Sequence, residues 1–170
     1  MVFTLVACGG EEKASEEGNV KEINIAVSPD YPPYESLDTD GKTIVGFDAD
    51  MIALFPEYLN DGDTTYKFVW HSMSFENIVS QVQGGQVDIG VSGFTYDKSR
   101  KVAWSKPYTA TAQVAVVDKD SDIKTVKDLE GKTVAAQSGS TGEKAAKEIK
   151  DANVVSVTNV QEIFSSLTSK

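Results

Sequence analysis

The chain has 170 residues, 40% of them hydrophobic and 25% charged, with a formal net charge of −10. That is an ordinary soluble-domain composition, long enough for one domain with a real core or for two small lobes. The negative balance argues against nucleic acid, whose phosphates need a basic face; a single cysteine excludes an intramolecular disulfide, and a single histidine, His71, excludes a His-based metal site.

The first feature in chain order is "LVACGG" over residues 5–10. It is similar to the lipobox of bacterial lipoproteins, which implies lipid on Cys8 and an anchor at the outer face of the cell membrane. A secretory leader has a charged start and roughly 7–15 apolar residues. Only seven residues precede Cys8 and none is charged, so residues 1–8 read as a leader cut short. Residues 9–19 are mostly Gly, Glu, Lys, Ala and Ser without apolar periodicity, and read as a flexible tether.

The folded body opens with an alternating strand over residues 23–28, followed by "PDYPPY", which is expected to be irregular. A turn at "DTDGK" leads to a short strand over 43–45. Residues 47–59 have helical spacing that Pro56 should interrupt, and 66–70 form a second core strand. Phe75, Ile78, Val79 and Val82 follow the i, i+3, i+4, i+7 pattern of an amphipathic helix that ends at "GG". A strand over 87–91 comes next, and alternating strands and helices imply a parallel sheet.

Residue 97 reads as a helix N-cap, with Arg100 in the first turn behind it. A cation is unfavourable at that end of a helix dipole. A bound anion is the expected reason for placing one there. Residues 108–117 are extended and cross into a second unit, which repeats the pattern: strand 133–137, helix 141–149, strand 154–157, and a last helix carrying Val160, Ile163, Phe164 and Leu167.

Ligands of open parallel sheets bind beyond the carboxyl ends of the strands. Three such ends carry small, polar or aromatic loops: 28–34, 92–95 and "SGSTG" over 138–142. The third opens a helix, whose N–H groups favour an anion. Arg100 offers a planar fork that takes a carboxylate at two points. Other motifs fail on inspection. "GKT" has valine at position 126 where a P-loop needs glycine, "DKDSD" lacks the glycine and glutamate of a calcium loop, and "GVSGF" lacks the last glycine of a nucleophile elbow. No catalytic constellation, metal site or cofactor motif remains.

"YPPYE" with "GFDADM", then "FENIVSQVQGGQVDIGVSGFT" through Arg100, "WSKPY" and "VKDLEGKTVAAQSGSTGEKA" occur in this order. Together they resemble the extracytoplasmic solute-binding proteins of polar amino-acid ABC transporters. The resemblance implies a type II periplasmic-binding-protein fold of two α/β lobes, lobe one over 20–108, and a crossing strand with the first part of lobe two over 109–170. It implies a monomer that binds a free amino acid, closes on it, and presents it to a membrane permease. By the same resemblance Arg100 pairs with the ligand carboxylate, Thr95 and the Ser92 carbonyl serve carboxylate and ammonium beside Gly93, and Thr141 with Gly142 donates from the second lobe. Tyr31 and Phe75 would flank the ligand side chain. Ser28 stands where binders of basic amino acids often carry aspartate. Two rivals share the fold: a cyclohexadienyl dehydratase-like enzyme, with Glu35 as its candidate general acid, and the sensing domain of a receptor.

Overall fold

A computed structural model describes residues 19–169; the expected leader, the lipidation expected at Cys8 and most of the expected tether lie outside them. The chain runs β1 (Asn19–Val27), β2 (Asp30–Tyr31), β3 (Glu35–Leu37), β4 (Ile44–Val45), α1 (Phe47–Ala53), α2 (Phe55–Leu59), β5 (Thr64–Ser72), α3 (Phe75–Gln83) and β6 (Ile89–Gly90). A 3-10 turn (Val126–Leu129), β7 (Thr133–Gln137), α4 (Thr141–Lys147), β8 (Asn153–Val157) and α5 (Val160–Thr168) complete it.

Two parallel sheets organise the chain. The first has the order β5-β1-β6, and the second pairs β7 with β8 from Thr133↔Asn153 to Gln137↔Val157. Ile25, Ala26 and Val27 of β1 are fully buried, and α3 lays Phe75 and Ile78 against Ala26 beside Val87. Complete burial of one such side chain contributes roughly 1.5–3 kcal/mol, which is why the 3.6-residue period of α3 was legible. Gly90 lets the helix come close: a Cβ there would lie 2.6 Å from Ile78 Cγ2.

Several expected elements differ. β1 begins at Asn19, so the strand takes in the last tether residue; its first four residues are exposed and all but Val20 are polar, and only the ladder to β5 (Asn19↔Thr64 onward) makes them a strand. "PDYPPY" is not wholly irregular, because Asp30 and Tyr31 pair antiparallel with Ser36 and Glu35. The 47–59 helix divides at Leu54, with Pro56 placed in the first turn of α2, where a missing N–H costs least. The expected 87–91 strand contracts to Ile89–Gly90, although Asp88 and Val91 still donate to β1 carbonyls.

The helix expected at Arg100 is absent. Asp97 Oδ1 accepts from Ser99 N–H at 2.8 Å, and Arg100 N–H donates to the Asp97 carbonyl at 3.1 Å, so the segment closes as a turn. No apolar stripe follows that could hold a helix against the sheet. Arg100 therefore belongs to no helix of its own, and its placement has to be explained by its contacts.

Candidate functional site

The loops that follow β1, β6 and β7 converge, as a parallel sheet requires. Ser28 opens the first, and its backbone N–H donates to Ser92 Oγ at 3.1 Å. Ser92 Oγ in turn donates to Glu35 Oε1 at 2.8 Å. Gly93 adopts φ +53°, and a Cβ there would lie 3.2 Å from the Tyr31 ring, so the loop passes flush against that ring. Tyr31 is 40% exposed and stacks on Tyr34 at 5.6 Å.

Arg100 is the hub. Its Nη1 donates to the Thr95 carbonyl at 3.0 Å and its Nη2 to the Gly139 carbonyl at 2.9 Å, so it reaches from the first unit to the loop opening α4. The guanidinium lies over Phe94 at 5.1 Å and Phe75 at 5.6 Å. Partial burial lowers its pKa while nearby Asp97 works the other way; it stays a cation. Five N–H donors minus two carbonyl bonds leave three for a ligand carboxylate.

Gly139 owes its place to its lack of a side chain. With φ +73°, a Cβ would stand 3.0 Å from Glu76 Cβ in the first turn of α3. Thr141 and Gly142 begin α4, where Ser140 caps by accepting from Glu143 N–H at 3.0 Å and Glu143 accepts from Gly139 N–H at 3.0 Å. Lys147 and Ser156 also bond Glu143, and hold its pKa well below the usual glutamate range. Gln113, from the crossing segment, stands beside Gly142.

The structure thus brings Tyr31, Ser92, Gly93, Thr95, Arg100 and the start of α4 to neighbouring strand ends. Phe75 is placed differently from Tyr31. It is 7% exposed, tilted against Phe94 at 4.6 Å, and packed into the core, so it meets the site mainly through Arg100. A cleft of about 480 Å³ between the two units runs past Arg100, Gly139, Ser140 and Lys144; of the expected ligand residues only Arg100 lines it. Lys144 bridges this cleft to Asp97 at 3.1 Å. Among the described residues no group of three or more His, Cys, Asp or Glu side chains could hold a metal, and no helix is long and apolar enough to cross a membrane.

Three acids matter: Asp30 and Asp48, which sequence reading passed over, and Glu35. Asp30 accepts at Oδ2 from Gln137 Nε2 at 3.0 Å and from Val160 N–H, the first amide of α5, at 2.8 Å. It ties the first unit to the second. Asp48 in α1 is fully buried and accepts from Tyr108 Oη at 3.2 Å. Glu35 is 1% exposed, and burial, with Asp48 and Asp30 close by, pushes its carboxyl up to about 8. An acid in the first turn of a helix ordinarily reads as a surface residue favoured by the dipole, so only the aromatic setting of "YPPYE" and "GFDADM" hinted otherwise.

Residues 23–170 match the bacterial extracellular solute-binding proteins of family 3. The arginine-binding extracellular protein ArtP of Bacillus subtilis (strain 168) is 34% identical over 151 residues, covering 88% of this chain and 56% of its own length. The chain therefore spans little more than half of that relative. A crystal structure of the substrate binding protein of an amino acid ABC transporter superposes with TM-score 0.78 at 33% identity, covering 86% of this chain and 65% of that one. The ancestral amino acid-binding protein AncCDT-1, a precursor of cyclohexadienyl dehydratase, superposes with TM-score 0.76 at 31% identity over 87% of this chain and 66% of its own. The fold is accordingly that of the type II periplasmic binding proteins, with lobe two partly represented, and the chain belongs to the bacterial extracellular solute-binding proteins of family 3.

Proposed function

We propose that this chain binds a free amino acid outside the cytoplasmic membrane and delivers it to the permease of an ABC transporter. The observation that carries the reading is Arg100, a half-buried guanidinium bonded to Thr95 O in one lobe and Gly139 O in the other, with three donors free. A ligand carboxylate arriving there exchanges with or joins the Gly139 carbonyl, and so couples binding to lobe closure. Thr95, the Ser92 carbonyl and Gly93 serve the ligand's polar end from lobe one (residues 20–108), and Thr141 and Gly142 from lobe two (109–170). Tyr31 offers an exposed ring face to the ligand side chain. Lipid on Cys8 would hold the monomer at the membrane, beside its permease.

The alternative enzymatic reading has one specific observation behind it: Glu35 is an acid that keeps its proton near neutrality. Its oxygens face Ser92 and Asp48 beneath the loop, however, so it supports the site from below and has no open face toward a substrate. Binding without covalent chemistry fits this arrangement better.

Calorimetric titration with L-arginine first, then the other free L-amino acids, tests the proposal. Arg100→Lys keeps the charge but loses the two-point fork, so affinity should fall about tenfold to a hundredfold, on the order of 1.5–3 kcal/mol. Arg100→Ala should abolish binding. Unchanged affinity in Arg100→Ala removes the central residue from the site, and an aromatic product formed from prephenate or arogenate would favour the enzyme.

A further inference from the structure

Beneath the Ser92–Gly93 loop lie two carboxyl groups with a single obvious way to coexist. Glu35 of β3 and Asp48 of α1 are 1% and 0% exposed, and the two carboxyl groups lie close enough to act on each other. Glu35 Oε1 accepts from Ser92 Oγ. Glu35 Oε2 and Asp48 Oδ1, both buried, have no donor from any other group. Two buried carboxylate oxygens facing each other repel, whereas one proton between them makes a strong hydrogen bond. Asp48 is the better-supplied anion: Tyr108 Oη donates to Oδ2, and a bond from Gly93 N–H also favours its charged form. The charged or titratable neighbours acting on Glu35 are Asp30 from β2, Asp48 from α1 and, through the same network, Tyr108 from the segment after "WSKP"; each is an acid or a phenol.

We infer that Glu35, as the neutral acid, is a positioning residue for the amino-acid site: it bridges Ser92 to Asp48, and the pair fixes the Ser92–Gly93 backbone and the start of the crossing segment at Tyr108. This rests on the binding role proposed above for Ser92 and Gly93. Loss of the proton replaces the bridge with two adjacent anions, and Asp48 then pushes Glu35 away from Ser92. The folded-state value of Glu35 lies above its unfolded value, so its contribution is complete at low pH and is lost as pH rises through about 8.

The test compares the wild-type chain with Glu35→Gln, which keeps an acceptor for Ser92 and supplies a permanent donor to Asp48. Infrared spectroscopy of the ligand-free wild type at neutral pH should show a protonated-carboxyl C=O band that is missing from Glu35→Gln and disappears from the wild type as pH rises through about 8. Hydrogen exchange over 92–95 should quicken with the same midpoint in the wild type and stay flat in the variant. With L-arginine as probe, wild-type affinity should fall about tenfold per pH unit above that midpoint. The ligand's own ammonium also titrates on the alkaline side; Glu35→Gln retains that fall and so isolates the part due to Glu35. Absence of the band at neutral pH, or an alkaline loss of protection that persists in Glu35→Gln, overturns the inference. If L-arginine binds neither protein at any pH, the binding proposal is what suffers, and the band and the exchange profile still decide the role of Glu35.

Discussion

Asp30 is the position where one substitution should separate the two lobes energetically. Its carboxylate is 8% exposed and accepts three hydrogen bonds: Ser28 Oγ at 3.0 Å, Gln137 Nε2 at 3.0 Å and Val160 N–H at 2.8 Å. Its own carbonyl accepts a fourth, from Gln161 Nε2 at 3.0 Å. Asp30→Ala leaves the carbonyl bond but strands the buried Val160 amide, which is also the first N–H of α5. A charge-assisted bond to a buried partner is worth about 1.5–3 kcal/mol, and an anion at a helix N-terminus about 0.3–1 kcal/mol. Gln137 Nε2 also reaches the Thr158 carbonyl at 3.4 Å, so the total should be about 2–4 kcal/mol. For a chain of this length about 1 kcal/mol moves Tm by roughly 2–4 °C, so Asp30→Ala should melt roughly 5–15 °C lower. Asp30→Asn retains an oxygen for Val160 and should lose about a third as much. Thermal melting gives the magnitude, and hydrogen exchange gives the location: Val160 and Gln161 should lose protection while the β1–β5 ladder keeps it. An Asp30→Ala variant that melts within a degree of wild type, with Val160 still protected, would refute the idea that this carboxylate holds the lobes together.

Arg100→Lys and Arg100→Ala, judged by amino-acid titration, and Glu35→Gln, judged by infrared, exchange and affinity profiles against pH, are the two tests of the site itself. Gly90→Ala should destabilise by about 1–3 kcal/mol through overpacking, because its Cβ would meet Ile78 Cγ2 at 2.6 Å; chemical denaturation checks it, and a neutral result would mean that α3 shifts freely on the sheet. Asp128→Asn should lower Tm near neutral pH, since its carboxylate accepts from Lys124 N–H, Thr125 N–H and Thr125 Oγ1 and its pKa is held below the usual aspartate range by those bonds. Stability from a depressed carboxyl is present above its unfolded value and lost as pH falls, so the gap to wild type should close in acid; a gap that widened in acid would contradict the assignment.

What could be read from residues alone was whatever depends on near neighbours in the chain. Phe75, Ile78, Val79 and Val82 declared α3 because a helix with one wet face must repeat its apolar positions every three to four residues. β7 was bounded correctly at 133–137 by its own composition and flanking turns. The polar loops beyond the strands, with Arg100 among them, pointed to a candidate site because strand direction decides which end of a parallel sheet is free to bind. The ends of β1 and β6 were less legible, because a strand extends as far as its partner lets it. Nothing in the sequence near Asn19 announces pairing with Thr64. The tertiary structure alone decided which acids are buried and what they hold. Asp30 meets Gln137 and Val160 across 107 and 130 positions, and Arg100 meets Gly139 across 39. Asp48 has the same local signature as a solvated first-turn aspartate, yet it is sealed beneath Tyr108 and Glu35. Periodicity reports which face of an element is apolar; the partner of a buried charge is chosen by other elements, and no local pattern carries that choice.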